Sequence, residues 1–489
     1  MDEFDYRGWA RREEAADWDD ITSGTKEQRA DALLNRAQNI GLYEPHQLER
    51  VIGYLGAAVE INREIRRSIE LFQCLQMLAE AYTKLNRWDE SLEILDDAIL
   101  VAANDLQDDR MRATALGWRS WVCQSKHDYR AAAKGYENTS EFSRISRPEY
   151  AARDMNYSAK SWTMVGEFDH AIAAALKALE LARETDRLCD AVDAHNMLTY
   201  CYARKNEKQL ARKHFDLAKS IFEVGGSGQI SSEIGSRAKA WLAVAEGNFV
   251  EAERLFVEAI ETQRRSRDSE GAANSTFGRA VCAYQVDDYE RALELLKSII
   301  DSAEQIRMNA DYIEIGKLCE EICEYSGQNW LEALDIWRRI GSTMKANDPF
   351  NEDIEFCKMR IVVLEAKLSE DPGRKVELLR ELRDEMGDMF FSQFDALSQL
   401  GHALISCLKA SEAIRLAEEA LALPQMREKY AEFDCNWLEI KAKALEALGD
   451  YAGAKLAAQA AFDGYFDLDE NESAKAMREM VQRLANQAA

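Results

Sequence analysis

Proline is scarce, with five in 489 residues, and no stretch rich in proline, serine and glycine interrupts the chain. A length of this order ordinarily divides into about three domains. With no linker to mark the divisions, the organisation has to come from another pattern. Pro148 and Pro349 stand just ahead of expected helices, where the missing N–H costs nothing. The one glycine-rich stretch, Gly225-Gly226-Ser227-Gly228, lacks the Lys-Ser/Thr ending of a phosphate-binding loop and reads as a plain connection. No apolar run approaches the roughly 20 residues needed to cross a bilayer. The ten cysteines are scattered, with no CxxC and no secretory signal at the start. That pattern predicts buried free thiols in a reducing compartment, and a cytoplasmic location. Cys319 and Cys323 lie one helical turn apart, but no matching His or Cys pair accompanies them, so core packing is expected there and not a metal.

Catalytic motifs are missing as well. The histidines His46, His127, His170, His195, His214 and His402 form no HExxH, and no serine, cysteine or lysine sits in a recognisable nucleophile motif. The expectation is a protein that is not an enzyme and needs no metal or cofactor. Positive charge is short too: 62 Lys and Arg against 88 Asp and Glu leave a net charge of −26. Binding a polyanion depends on clustered basic residues, so nucleic acid and anionic membranes are not expected as partners.

What the chain does have is repetition. YTKLNRWDESLEILDDAI at residues 82–99 returns at 162–179 as WTMVGEFDHAIAAALKAL, with the aromatic, the small residue and the alanine at the same offsets. The small residue recurs as Ser91, Ala132, Ala171, Ala211, Ala252, Ala292, Ala333, Ala413 and Ala454, at steps of 39 to 41 residues and one double step of 80. A degenerate copy fits inside the double step around Asp371-Pro372-Gly373, and Val51 with Leu48, Leu55 and Ala58 fits one more at the front. Eleven copies of a unit of about forty residues predict a stacked repeat architecture.

Within each copy the period is helical. Three residues before the small one stands Trp88, Tyr129, Phe168, Phe249, Tyr289, Trp330 or Tyr451. Four after it comes Leu95, Tyr136, Phe215, Phe256, Leu296 or Trp337, and at seven Ala98, Ala178, Ala218, Ala259, Ala420 or Ala461. That ladder is one face of an α-helix. A second apolar run precedes each turn, such as Leu75, Leu78, Ala79 and Tyr82. The pairs Gly449-Asp450, Gly166-Glu167, Gly247-Asn248, Asn86-Arg87 and Asp287-Asp288 between the runs predict a left-handed C-cap followed by an N-cap. Each unit is therefore a helix, a tight turn and an antiparallel helix.

From about residue 27 to the end, this ladder resembles the tetratricopeptide repeat. The usual period of that family is shorter, and its closing proline is absent here except at Pro424, so the units look like the longer variant of kinesin light chains and Rap-type bacterial peptide receptors. The resemblance implies an all-α fold: a right-handed α-solenoid of antiparallel helix pairs covering 27–470. Residues 1–26 form an arm or cap and 471–489 a closing helix, with Ala474, Met477, Met480, Val481 and Leu484 facing the last pair. It further implies that the first helix of each pair lines a concave groove and that the function is protein or peptide binding.

On those first helices Asn156 and Asn196 stand forty residues apart. In peptide-binding members of the family, asparagines of this kind hold the backbone of an extended peptide, since the amide offers both donor and acceptor. Around them stand Arg153, Lys160, Tyr200, Arg204, Arg237 and Trp241, a cationic and aromatic set inside an acidic chain. They suggest a partner that presents an acidic or C-terminal segment. Each has a blander reading: Arg153, Lys160 and Arg237 paired with nearby acids, Trp241 in the core, His195 packed against the neighbouring unit. A docking adaptor, a peptide-responsive receptor resembling the Rap type and a structural subunit of a larger assembly all remain open, as does a homo-oligomer.

Overall fold

The computed structural model describes residues 24–42, 45–225, 232–266, 268–302, 310–326, 330–347, 353–386, 394–422, 433–468 and 471–487. Among these residues there are 23 α-helices and no strand. The first ten are α1 (Lys26–Ile40), α2 (Leu48–Glu64), α3 (Ser68–Lys84), α4 (Trp88–Leu100), α5 (Asp109–Ser125), α6 (Tyr129–Ser146), α7 (Pro148–Met164), α8 (Phe168–Glu184), α9 (Leu188–Arg204) and α10 (Lys208–Gly225). Then come α11 (Ser232–Ala245), α12 (Phe249–Ser266), α13 (Ser269–Gln285), α14 (Tyr289–Ser302), α15 (Ala310–Ser326), α16 (Trp330–Asn347) and α17 (Asp353–Leu368). The last are α18 (Pro372–Met386), α19 (Phe394–Ser406), α20 (Ala410–Leu421), α21 (Phe433–Ala447), α22 (Tyr451–Asp467) and α23 (Asn471–Gln487).

Taken two at a time these helices make eleven pairs, with α23 left over. The chain divides into two compact units, Met1–Ile315 and Gly316–Ala489. Within the first, each helix from α1 to α14 packs on the next; within the second, each from α16 to α23 does the same. This is the all-α solenoid that the period predicts. The segment 1–23, Pro349, Pro424 and the Gly226-Ser227-Gly228 stretch lie outside the described residues.

The small residue of the ladder is where the helices meet. Ser91, Ala132, Ala171, Ala211, Ala252, Ala292, Ala333, Ala413 and Ala454 are all completely buried. Serine is tolerated at the first of these because its hydroxyl lies 2.9 Å from the Ala79 carbonyl and 2.8 Å from Thr83 Oγ1. The turn aromatics are less enclosed: among Trp88, Tyr129, Phe168, Phe249, Tyr289, Trp330 and Tyr451 only Tyr129 is buried. At the C-terminal end Ala474, Met477, Met480 and Leu484 of α23 are buried in one cluster with Ala457, Ala461 and Tyr465 of α22, and Val481 packs against it.

The turns are built alike. After α3 the Arg87 N–H bonds the Tyr82 carbonyl and the Asn86 N–H bonds that of Thr83, with Asn86 at φ +59°. This is a left-handed C-cap with nested hydrogen bonds. It recurs at Gly166, Gly247 and Gly449, and with a side chain present at His127, Asn206, Asp287 and Leu408. The N-cap half of the expectation holds only where the chemistry allows. Asp128 and Asp450 accept from the Ala131 and Gly453 N–H groups, whereas Arg87 and Glu167 make no side-chain cap. Arginine carries no acceptor, and Glu167 instead pairs with Arg130 at 3.2 Å.

Candidate functional site

In the first unit the first helices of successive pairs also touch one another: α7 packs on α9, α9 on α11 and α11 on α13. No comparably close row of second helices exists among the described residues, so the first helices form the inner side of the bend. All the sequence-predicted site residues lie on this row, Arg153, Asn156 and Lys160 on α7, Asn196, Tyr200 and Arg204 on α9, Arg237 and Trp241 on α11.

The structure separates them into three groups. Asn156 ties the solenoid together: its Nδ2 donates to the Asp190 carbonyl in the first turn of α9 at 2.9 Å, while its Oδ1 is sealed without a partner. One of its two N–H donors is therefore used within the chain, and its acceptor is closed to any ligand. Tyr200, Arg204 and Trp241 form an inward-packed cluster. The Arg204 guanidinium lies 4.5 Å from the Trp241 ring, 5.0 Å from Phe168, 5.7 Å from Phe277 and 5.8 Å from Tyr200. Residues from four pairs thus converge on one cation, and each ring face attracts it. The Tyr200 hydroxyl accepts from Arg204 Nη1 at 2.9 Å and from Asn274 Nδ2 at 3.2 Å. Trp241, 4 % exposed and edge-on to Phe256 at 5.4 Å, belongs to the core, the blander of its two readings.

Arg153, Lys160, Arg237 and Asn196 make the third group. Among the described residues none of the three cations forms an ion pair, and no hydrogen bond reaches the Asn196 amide. The salt-bridge reading of these cations is thus overturned. Arg237 is nine-tenths buried, with its Nε sealed off without an acceptor, and lies 5.8 Å from the Tyr200 ring. Arg153 Nε is sealed in the same way beside the Tyr150 ring, 4.5 Å away. Elsewhere in this acidic chain arginines find carboxylates readily, as Arg212 does with Glu246 and Arg279 with Glu253. Removing a charge from water without a counter-charge is costly, which sets the buried Arg237 apart from those arginines.

His195, beside Asn196, bonds within its own pair and not to the neighbouring one. Its Nδ1 lies 2.9 Å from Nδ1 of His214 on α10. Burial and the second ring pull the His195 pKa down to about 4, so both rings are neutral at neutral pH, one donating and the other accepting.

Sequence reasoning missed a cleft of about 440 Å³ next to Arg153, lined by Thr114, Gly117, Trp118, Trp121 and Gln124 of α5, Tyr136 of α6, Arg147, and Arg153, Asp154 and Tyr157 of α7. Trp118 and Trp121 at i, i+3 were the available signal. It also missed a long-range closure: Tyr129 at the start of α6 donates to Glu270 at the start of α13 at 2.6 Å, across 141 residues. His127 Nδ1 lies 2.8 Å from the same carboxylate. Among the described residues no three His, Cys, Asp or Glu side chains converge as a metal site would require, and no helix is long and apolar enough to cross a membrane. None of the ten cysteines forms a disulfide, and eight of them are buried.

No protein-family model matches the chain, and no curated protein matches it.

Proposed function

We propose that this chain is a non-enzymatic interaction scaffold of the tetratricopeptide type, whose inner face on α7, α9 and α11 holds an extended acidic segment of a partner protein. The observation that carries this reading is the set of three cations, Arg153, Lys160 and Arg237, which form no ion pair among the described residues of a chain of net charge −26. The Asn196 amide adds a donor and an acceptor for a peptide backbone. Asn156 is left out of the contact set because its acceptor is sealed and one of its two donors already bonds α9. Arg204 is left out as a direct contact because its ring cage holds it.

The test is a titration of two fluorescent peptides of equal length, one rich in glutamate and one rich in lysine. The glutamate peptide alone is expected to bind. Arg237→Gln or Lys160→Gln should each weaken it about tenfold, the scale of one charge-assisted hydrogen bond. Arg265→Gln, at an exposed arginine 3.7 Å from Glu261, should leave it unchanged. No preference for the acidic peptide, in variants that melt like wild type, would favour a structural subunit that uses another surface.

A further inference from the structure

We propose that the cleft between α5, α6 and α7 binds a proline-rich segment in the extended polyproline conformation. This is a second site, for a partner chemistry different from the acidic segment of the inner face, and it stands or falls on its own observations.

The cleft is rich in free donors. Among the described residues the indole N–H groups of Trp118 and Trp121 and the Tyr157 hydroxyl make no hydrogen bond, and the Trp118 N–H is not sealed from solvent. The acceptors are mostly engaged at home. Gln124 Oε1 takes the Tyr136 hydroxyl at 3.2 Å, Thr114 Oγ1 meets Arg147 Nη1 at 3.4 Å, and the 5 % exposed Asp154 takes the Ser143 hydroxyl at 2.7 Å. An ordinary peptide brings an N–H with every carbonyl, and burying those donors without acceptors is costly. A proline brings the carbonyl and no N–H. A run of prolines therefore matches a wall of donors where other sequences do not.

The walls suit proline rings. Trp118 and Trp121 meet edge to face with centroids 5.4 Å apart, and Tyr136 and Tyr157 lie 5.3 Å apart at 32°. Trp121 and Tyr157 remain 40 % and 42 % exposed. Aromatic grooves of this kind are where polyproline helices dock, and the preformed helix has little conformational freedom left to lose on binding. The volume, about 440 Å³, falls in the range of about 300–1,000 Å³ typical of ligand pockets. Charge narrows the choice further. Arg147 and Arg153 line the cleft against the single carboxylate of Asp154, so a lysine or arginine meets like charge, while a proline brings no charge to strip of water.

Capped octaproline and a capped octapeptide of alternating alanine and glutamine test this by calorimetric titration. Wild type is expected to bind octaproline about tenfold more tightly, the scale of one or two amide donors left unpaired in the other peptide. Trp121→Phe and Tyr157→Phe each keep a ring and remove one donor, and each should weaken octaproline about fivefold, the scale of one hydrogen bond. Arg265→Gln, remote in sequence and exposed, should leave it unchanged. A second readout locates the contact: the Trp121 indole N–H resonance, assigned by its loss in Trp121→Phe, should shift as octaproline is added. No binding of octaproline, or equal affinity for the two octapeptides, overturns the site. Octaproline affinity unchanged in both phenylalanine variants, with a Trp121 resonance that stays in place, overturns the cleft as the place where prolines bind. A tryptophan peptide flanked by glutamates that binds more tightly than octaproline, and weakens in Tyr157→Phe, also overturns the assignment and gives the cleft to an acidic aromatic ligand.

Discussion

His195 and His214 share one hydrogen bond, 2.9 Å long, inside a pair of helices that offers no carboxylate to either ring. Burial, the second ring, Arg183 and Lys213 all oppose a proton on His195 and bring its pKa from the ordinary 6.5 to about 4. The unfolded chain therefore takes up a proton below 6.5 that the folded chain refuses until about 4. Stability from this residue is present in full above 6.5 and is lost as pH falls through that window. The loss is about 2 kcal/mol by pH 5 and about 3 by pH 4. His195→Gln should remove it, so between pH 7 and pH 5 the urea midpoint of wild type should fall more than that of the variant. Parallel falls would show that His195 takes up its proton at an ordinary pH.

At the scale of helices, the contacts that set the bend differ in kind from those that make a pair. Pairing is legible in sequence because each close approach needs a small residue, and the positions from Ser91 to Ala454 recur in register. The bend is not legible, because it accumulates from small rotations between pairs and brings together residues with no local relation. Glu270 has no sequence feature that points to Tyr129, and nothing in Arg204 announces rings from α8, α11 and α13. The candidate site shows the same limit. Spacing finds the helix pairs and the family resemblance implies the row of first helices, while the bond from Asn156 to the Asp190 carbonyl depends on how α7 meets α9. Replacing Glu270 with alanine should expose this layer of structure. Tyr129, 3 % exposed, would keep only His127 Nδ1 at 3.0 Å as an acceptor, at a cost of about 1–3 kcal/mol. Hydrogen exchange should speed up at the starts of both α6 and α13. An effect at the start of α13 alone would mean that the closure does not hold α6.

For the molecule as a whole, stability should be a sum of local terms. Each pair in a stacked array buries most of its surface against its neighbours, with the Tyr129–Glu270 contact an added tie inside the first unit, so no single core holds all eleven together, and two-state unfolding is not the expectation for so long an array. The division into Met1–Ile315 and Gly316–Ala489 gives this a definite form. Leu198 on α9 and Leu379 on α18 are both completely buried, one in each unit. Truncating either to alanine removes the same methyl groups and leaves a cavity, at about 2–5 kcal/mol. If cooperativity stops near the boundary, Leu198→Ala should lower the urea concentration at which helices of the first unit lose exchange protection and leave α19 to α22 unchanged. Leu379→Ala should do the reverse. Peptide-resolved hydrogen exchange along a urea series reads both units in one sample. A shift of both units by either variant would show that the eleven pairs unfold as one block.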